Sequence, residues 1–111
     1  MKLRMLIPLA AALLMPATIL AGGTGNAKAG HEVFAAHCQM CHGPNGAGNP
    51  ALAKMLKTTI PNLGSKAVQD LSCAQMREVI EKGKGKMSPI HGLSAADINN
   101  VIAFVRSLGK K

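Results

Sequence analysis

Cys38-Gln39-Met40-Cys41-His42 is the most informative run in this 111-residue chain. On a helical turn, residues three apart face the same way, so the thiols of Cys38 and Cys41 can reach one flat partner. The next residue, His42, can then place an imidazole over that partner's centre. C-x-x-C-H is the attachment signature of c-type haem: two thioethers from the cysteines, with the histidine as an iron ligand. Two rival chemistries use similar residues. A zinc site with two Cys and one His needs a further ligand pair at regular spacing, which Cys73 and His91 do not provide. A thioredoxin-like dithiol sits in a βαβ pattern, and no segment here alternates convincingly with period two.

Composition bears on that choice. The chain is 48% apolar, yet it has no Trp, no Tyr and only two Phe, Phe34 and Phe104. Aromatic rings bury roughly 150–250 Å² each and ordinarily supply much of a core. This chain must fill that volume with aliphatic side chains or with something that is not protein. Its length is that of one domain, which excludes a large multidomain enzyme. The three cysteines cannot make a disulfide framework, and neither a collagen-like nor a polar disordered composition is present. Thirteen Lys and Arg stand against five Asp and Glu, a net charge of +8. That charge biases which surfaces the protein meets without specifying a fold.

Residues 1–21 read as an export signal. Lys2 and Arg4 make a positive start, Met5 to Ala21 is apolar apart from Thr18, and small residues follow. The expected cleavage lies between residues 21 and 29. The alternative is an uncleaved anchor, but a run of 17 residues broken by Pro8 and Pro16 is at the short edge of a membrane span. Export places the domain, residues 27–111, in an oxidising compartment. Both the compartment and the missing aromatic core favour haem.

Three helices are expected. The first spans Ala27 to Cys41 and carries Val33, Phe34 and the cysteine pair. The second spans about Leu71 to Lys82: Ser72 and Gln75 have capping-box spacing, Met76, Val79 and Ile80 form a stripe, and Gly83 stops it. In the third, Ser94 caps, Asp97 sits three on, and Ile98, Val101, Ile102, Val105 and Leu108 recur on one face before Gly109. A short helix over Ala51–Leu56 fits in the long link. Three helices with so few large side chains make a thin core for a domain this small.

The chain from Ala27 to Leu108 resembles the small monohaem class I cytochromes c of the bacterial periplasmic type. The resemblance rests on Gly30 and Phe34 before the cysteine pair, CHGPNGAGNP over residues 41–50, GKGKMSP over 83–89, and VIAFVRSL over 101–108. It implies an all-α fold with one covalent haem c among three main helices. Cys38 and Cys41 would form the thioethers, and His42 would be the proximal iron ligand. The residues themselves leave the opposite ligand open among Met40, Met55, Met76, Met87, His31, His37 and His91. Met40 lies within the attachment turn, while Met55 and Met76 read as core fillers. Met87 follows Gly83-Lys84-Gly85-Lys86, which has the backbone freedom to wrap a haem edge, and Pro89 stiffens the exit. In the family resembled, the Met in this place is the distal ligand.

The same resemblance implies a proline carbonyl, from Pro61 or Pro50, accepting from the second nitrogen of His42. It places Gly30, Phe34 and Phe104 where the first and last helices cross. Having neither Trp nor Tyr, the chain lacks the propionate donors familiar in mitochondrial members, which leaves Lys66, Asn62 and Ser88 as candidates. Ser88 separates Met87 from Pro89, where many relatives have Met-Pro directly.

The implied function is a soluble periplasmic one-electron carrier and not an enzyme. Its partners would be other redox proteins, met through an acidic docking face on the partner, in solution or transiently at a membrane surface. Lys54, Lys57, Lys82, Lys84 and Lys86 are the residues available for such steering. No nucleic-acid partner is expected, given no aromatic platform and no recognition motif. Cys73 is left unpaired, so the protein is a monomer or a Cys73-linked dimer. Two other functions use the same residues: a haem sensor or weak peroxidase with a labile distal Met, and a dedicated electron-transfer subunit of a dehydrogenase or oxidase complex. Mass spectrometry of the polypeptide exported alongside haem-attachment machinery should show the added mass of one tetrapyrrole. A bare polypeptide mass would overturn the haem reading.

Overall fold

The computed structural model describes residues 25–110; the export signal and its cleavage site fall outside them. The elements in chain order are α1 (Ala27–His37), α2 (Gln39–His42), α3 (Pro50–Leu56), α4 (Lys66–Gln69), α5 (Cys73–Lys82) and α6 (Ala95–Leu108). Among the described residues the one strand-like pairing is an isolated bridge between Lys84 and Met87.

Most helix starts are written in side chains. Asn26 caps α1, its side-chain oxygen accepting from the Ala29 N–H at 3.0 Å. Asn49 does the same for α3, with Pro50 at the first helical position, where the missing N–H costs nothing. The Ser72–Gln75 and Ser94–Asp97 capping boxes both form, so α5 and α6 begin where the pattern places them. The short third helix is also present.

Two features depart from the sequence reading. The expected single helix from Ala27 to Cys41 is broken at Cys38, whose φ of −122° and ψ of −29° leave the helical range. Its N–H still donates to the Phe34 carbonyl at 2.8 Å, so the ladder runs up to the kink and resumes in α2. No Gly or Pro lies at this point; the kink accompanies the tertiary seating of Phe34 and His42, which pattern alone does not register. The second departure is α4, a single turn too short to carry periodicity.

Helices α1 and α6 cross at Gly30. A Cβ at this position would fall within the van der Waals radius of the Asn100 carbonyl, so only hydrogen lets the two backbones approach this closely. Asn26 N–H donates to the Asn100 side chain at 2.9 Å beside the crossing. Phe34 and Val101 are each 1% exposed and fill the contact, with the Phe34 and Phe104 rings 4.9 Å apart at 49°. A second cluster holds α5 on α6: Met76, Ile98 and Ile102 are buried, with Val68, Leu71, Cys73, Ile80, Leu93 and Val105 packed around them.

Polar clamps tie the link between α3 and α5 to α6. The Gln69 side chain donates to the carbonyls of Leu63 and Val105, both at 2.8 Å. Arg106 donates to the carbonyls of Gln69 and Leu71. Through these two residues an irregular segment satisfies carbonyls that no regular element would reach.

Substituting Gly30→Ala should cost about 1–3 kcal/mol, because the clashing atoms are backbone and cannot swing aside. Equilibrium guanidinium unfolding checks this, and a change within about 0.5 kcal/mol, as at an ordinary surface site, would refute the close-crossing account.

Candidate metal centre

The kink at Cys38 brings Cys38, Cys41 and His42 into one turn beneath α1. All three are half-buried, and both sulfurs are free. The loop that follows locks this turn from behind. Gly48 N–H donates to the His42 carbonyl at 2.7 Å, Asn49 N–H to the Cys41 carbonyl at 2.9 Å, and the Asn49 side chain to the Met40 carbonyl at 3.0 Å. Gly43 and Gly48 take φ of 76° and 98°, which lets the chain reverse this tightly. Asn49 therefore clamps the attachment turn and caps α3 at once, a double role its place in the sequence does not announce.

The His42 ring lies 6.3 Å from Phe34, centre to centre. Burial lowers its pKa from the ordinary 6.5, which favours the neutral imidazole that metals require. Burial, and then the neighbouring Cys41 sulfur, pushes Cys38 up to about 11, so at neutral pH this sulfur is a thiol.

His42 Nδ1 is buried and has no protein hydrogen-bond partner. The expected hydrogen bond to a proline carbonyl is not formed. Pro50 is the first residue of α3, where its carbonyl belongs to the helical ladder, and Pro61 makes no hydrogen bond to the ring. A solvent-shielded imidazole nitrogen left without a partner is costly in a closed protein core. Among the described residues only five apolar side chains, Phe34, Met76, Ile98, Val101 and Ile102, are buried, while Leu52, Ile60, Leu71, Ile80 and Leu93 remain half-buried. An orphaned imidazole, two aligned thiols and half-covered aliphatic side chains fit a large apolar metal-bearing disc. Among the described residues, no three His, Cys, Asp or Glu side chains converge as a zinc site requires.

The candidates for the opposite ligand separate clearly. Met76 is 6% exposed and belongs to the α5–α6 core, as its stripe position implied. Met40 and Met55 are 78% and 73% exposed, so Met55 is a surface residue and not the core filler expected from the sequence. His37 and His91 are exposed, as is His31, which stacks on Phe104 with centroids 4.8 Å apart. Met87 is half-buried at the end of a tight turn: Lys84 and Met87 exchange both backbone hydrogen bonds at 2.9 Å. Gly83, with φ of 77°, packs against the Met87 carbonyl and Pro89, which fixes the turn against the end of α5. Ser88 is accommodated without disturbing that turn.

The family described as "Cytochrome C oxidase, cbb3-type, subunit III" matches residues 25–105. Over 108 residues the chain is 40% identical to cytochrome c6 of Picosynechococcus sp., covering 87% of this chain and 89% of that protein. The chain belongs to the class I cytochromes c. It carries covalent haem c with iron, and it transfers electrons with other redox proteins. It is also 37% identical over 91 residues to the cbb3-type cytochrome c oxidase subunit FixP of Azorhizobium caulinodans, covering 79% of this chain but 29% of FixP. Among solved structures, the KustC0563 c-type cytochrome shares the fold, with a TM-score of 0.61 at 23% identity, over 71% of this chain and 95% of that one. The cytochrome is thus all-helical around its haem, as the motifs and their spacing implied.

Of the propionate candidates, Lys66 pairs with Asp70 at 2.5 Å, and the Asn62 side chain accepts from Gly64 N–H at 2.8 Å. Ser88 is exposed. Cys73 is half-buried against the second cluster with Arg106 Nη2 at 3.5 Å from its sulfur, the setting of a small core residue.

Proposed function

We propose that this cytochrome is a soluble, exported periplasmic one-electron carrier, with haem on Cys38 and Cys41 and iron held between His42 and Met87. The observation that carries the reading is Met87 itself. Among the otherwise unassigned Met and His side chains of the described residues, it alone is half-buried on a backbone-locked turn; the others are exposed or, in Met76, committed to the core.

Bound haem supplies an iron that gains and loses one electron. The chain sets the conditions for that exchange. Burial favours the neutral form of His42, the form able to donate a lone pair. A thioether opposite an imidazole raises the potential relative to two imidazoles, and it leaves no coordination position open for a substrate. That favours a carrier over an enzyme, and over the sensor or weak-peroxidase alternative. The locked turn from Lys84 to Met87 holds the thioether in place without help from a large core.

Lys84 and Lys86 stand exposed on the same turn, whereas Lys82 lies 3.6 Å from Glu78. Charges so placed can steer an acidic partner towards the Met87 side, with rates that fall as salt screens the field. Such redox encounters need only small, transient faces. No helix among the described residues is long and apolar enough to cross a membrane. The proposed cleavage between residues 21 and 29 would release the domain. The setting of Cys73 supports a monomer over a disulfide-linked dimer.

The match to FixP favours a second reading, a dedicated electron-transfer module of an oxidase. Similarity to cytochrome c6 along most of both chains supports the free carrier. Purification in a stable stoichiometric complex would favour the oxidase module.

Met87→Ala should abolish the weak far-red absorbance that marks methionine on ferric haem. It should also lower the midpoint potential and let the ferrous protein bind carbon monoxide at neutral pH. Persistence of the far-red band in the variant would overturn Met87 as the ligand.

A further inference from the structure

The chain has two phenylalanine rings, and both stand in one row with two imidazoles. Exposed His31 stacks on Phe104 at 4.8 Å and 15°, Phe104 meets Phe34 at 4.9 Å, and Phe34 meets His42 at 6.3 Å. Each step lies within the separations that aromatic pairs adopt in packed interiors. Elsewhere the core is aliphatic: the α5–α6 cluster is built on Met76, Ile98 and Ile102. The row therefore begins at a solvent-facing imidazole on α1, passes through the α1–α6 crossing, and ends on the buried imidazole of the attachment turn.

We infer that His31, Phe104, Phe34 and His42 form an electron route from the proximal side of the haem to the surface of the α1–α6 face. The inference rests on His42 as an iron ligand. It adds a second port, on a different element from the Met87 turn. The two phenylalanines of the row are packed within the crossing: Phe34 is 1% exposed and Phe104 half-buried. The rings stay neutral and supply electronic overlap only; the electron leaves iron and arrives at an acceptor seated on His31.

The test is photochemical and uses the haem-loaded protein. A ruthenium(II) polypyridyl complex is coordinated to His31 in a variant with His37→Gln and His91→Gln, and to His91 in a variant with His31→Gln and His37→Gln. Flash-quench oxidation makes ruthenium(III), which takes one electron from ferrous iron. Iron becomes ferric, ruthenium returns to the divalent state, and no proton moves. Phe104→Leu should slow transfer several-fold from the His31 label and leave the His91-label rate unchanged. No slowing at His31, or equal slowing at both labels, would overturn the route, because the ring then serves packing alone.

A further comparison needs no core substitution. With His31, His37 and His91 all changed to Gln, the same complex on Glu32→His sits one residue away from the row. It should exchange electrons several-fold more slowly than the His31 label, and equal rates would overturn the proposal. The spectrum of the unlabelled protein separates the two claims: loss of the low-spin histidine-ligated form would refute His42 as ligand, whereas failure of the route leaves that spectrum intact.

Discussion

The crossing of α1 over α6 at Gly30 is the constraint on which the rest depends. The two backbones approach so closely that a methyl group would strike the Asn100 carbonyl. That approach seats Phe34 between the helices and fixes the direction in which the chain leaves α1. The attachment turn begins at the very next residue after α1 ends. An error at the crossing would therefore be passed directly to both thiols and to His42, with no flexible segment to absorb it.

The second constraint is scarcity. Among the described residues five buried apolar side chains, three of them fully so, are few for a domain of this size, and they lie along α6 and its contacts with α1 and α5. The remaining aliphatic side chains are half-covered, and the protein compensates locally. Four helices carry side-chain caps at their starts, loop carbonyls are taken up by Gln69 and Arg106, and the Lys84–Met87 turn closes on itself. Covalent haem supplies the large apolar body that Trp and Tyr provide elsewhere.

Much of this was legible in advance because it depends on near neighbours. The capping boxes at Ser72 and Ser94 need residues three apart, and α5 and α6 began as read. The stripe on α6 placed Ile98, Val101 and Ile102 inside correctly. The kink at Cys38 was not legible, since the residues around it are ordinary helix formers. Nor were the clamps: Arg106 reaches carbonyls 35 and 37 residues away, and no local pattern marks such partners. Met55 was misjudged because α3 is a short surface helix with no second layer over it.

By itself, the sequence determined the cofactor and the helical class. Those follow from spacing along the chain, where residues three or four apart share one helix face whatever surrounds them. Tertiary structure alone decided which methionine side chains are covered, which imidazole nitrogen is shielded, and where the only two phenylalanines meet. Shielding and proximity arise when distant segments pack together, and the free energy of that packing is spread over contacts that no single stretch of chain contains.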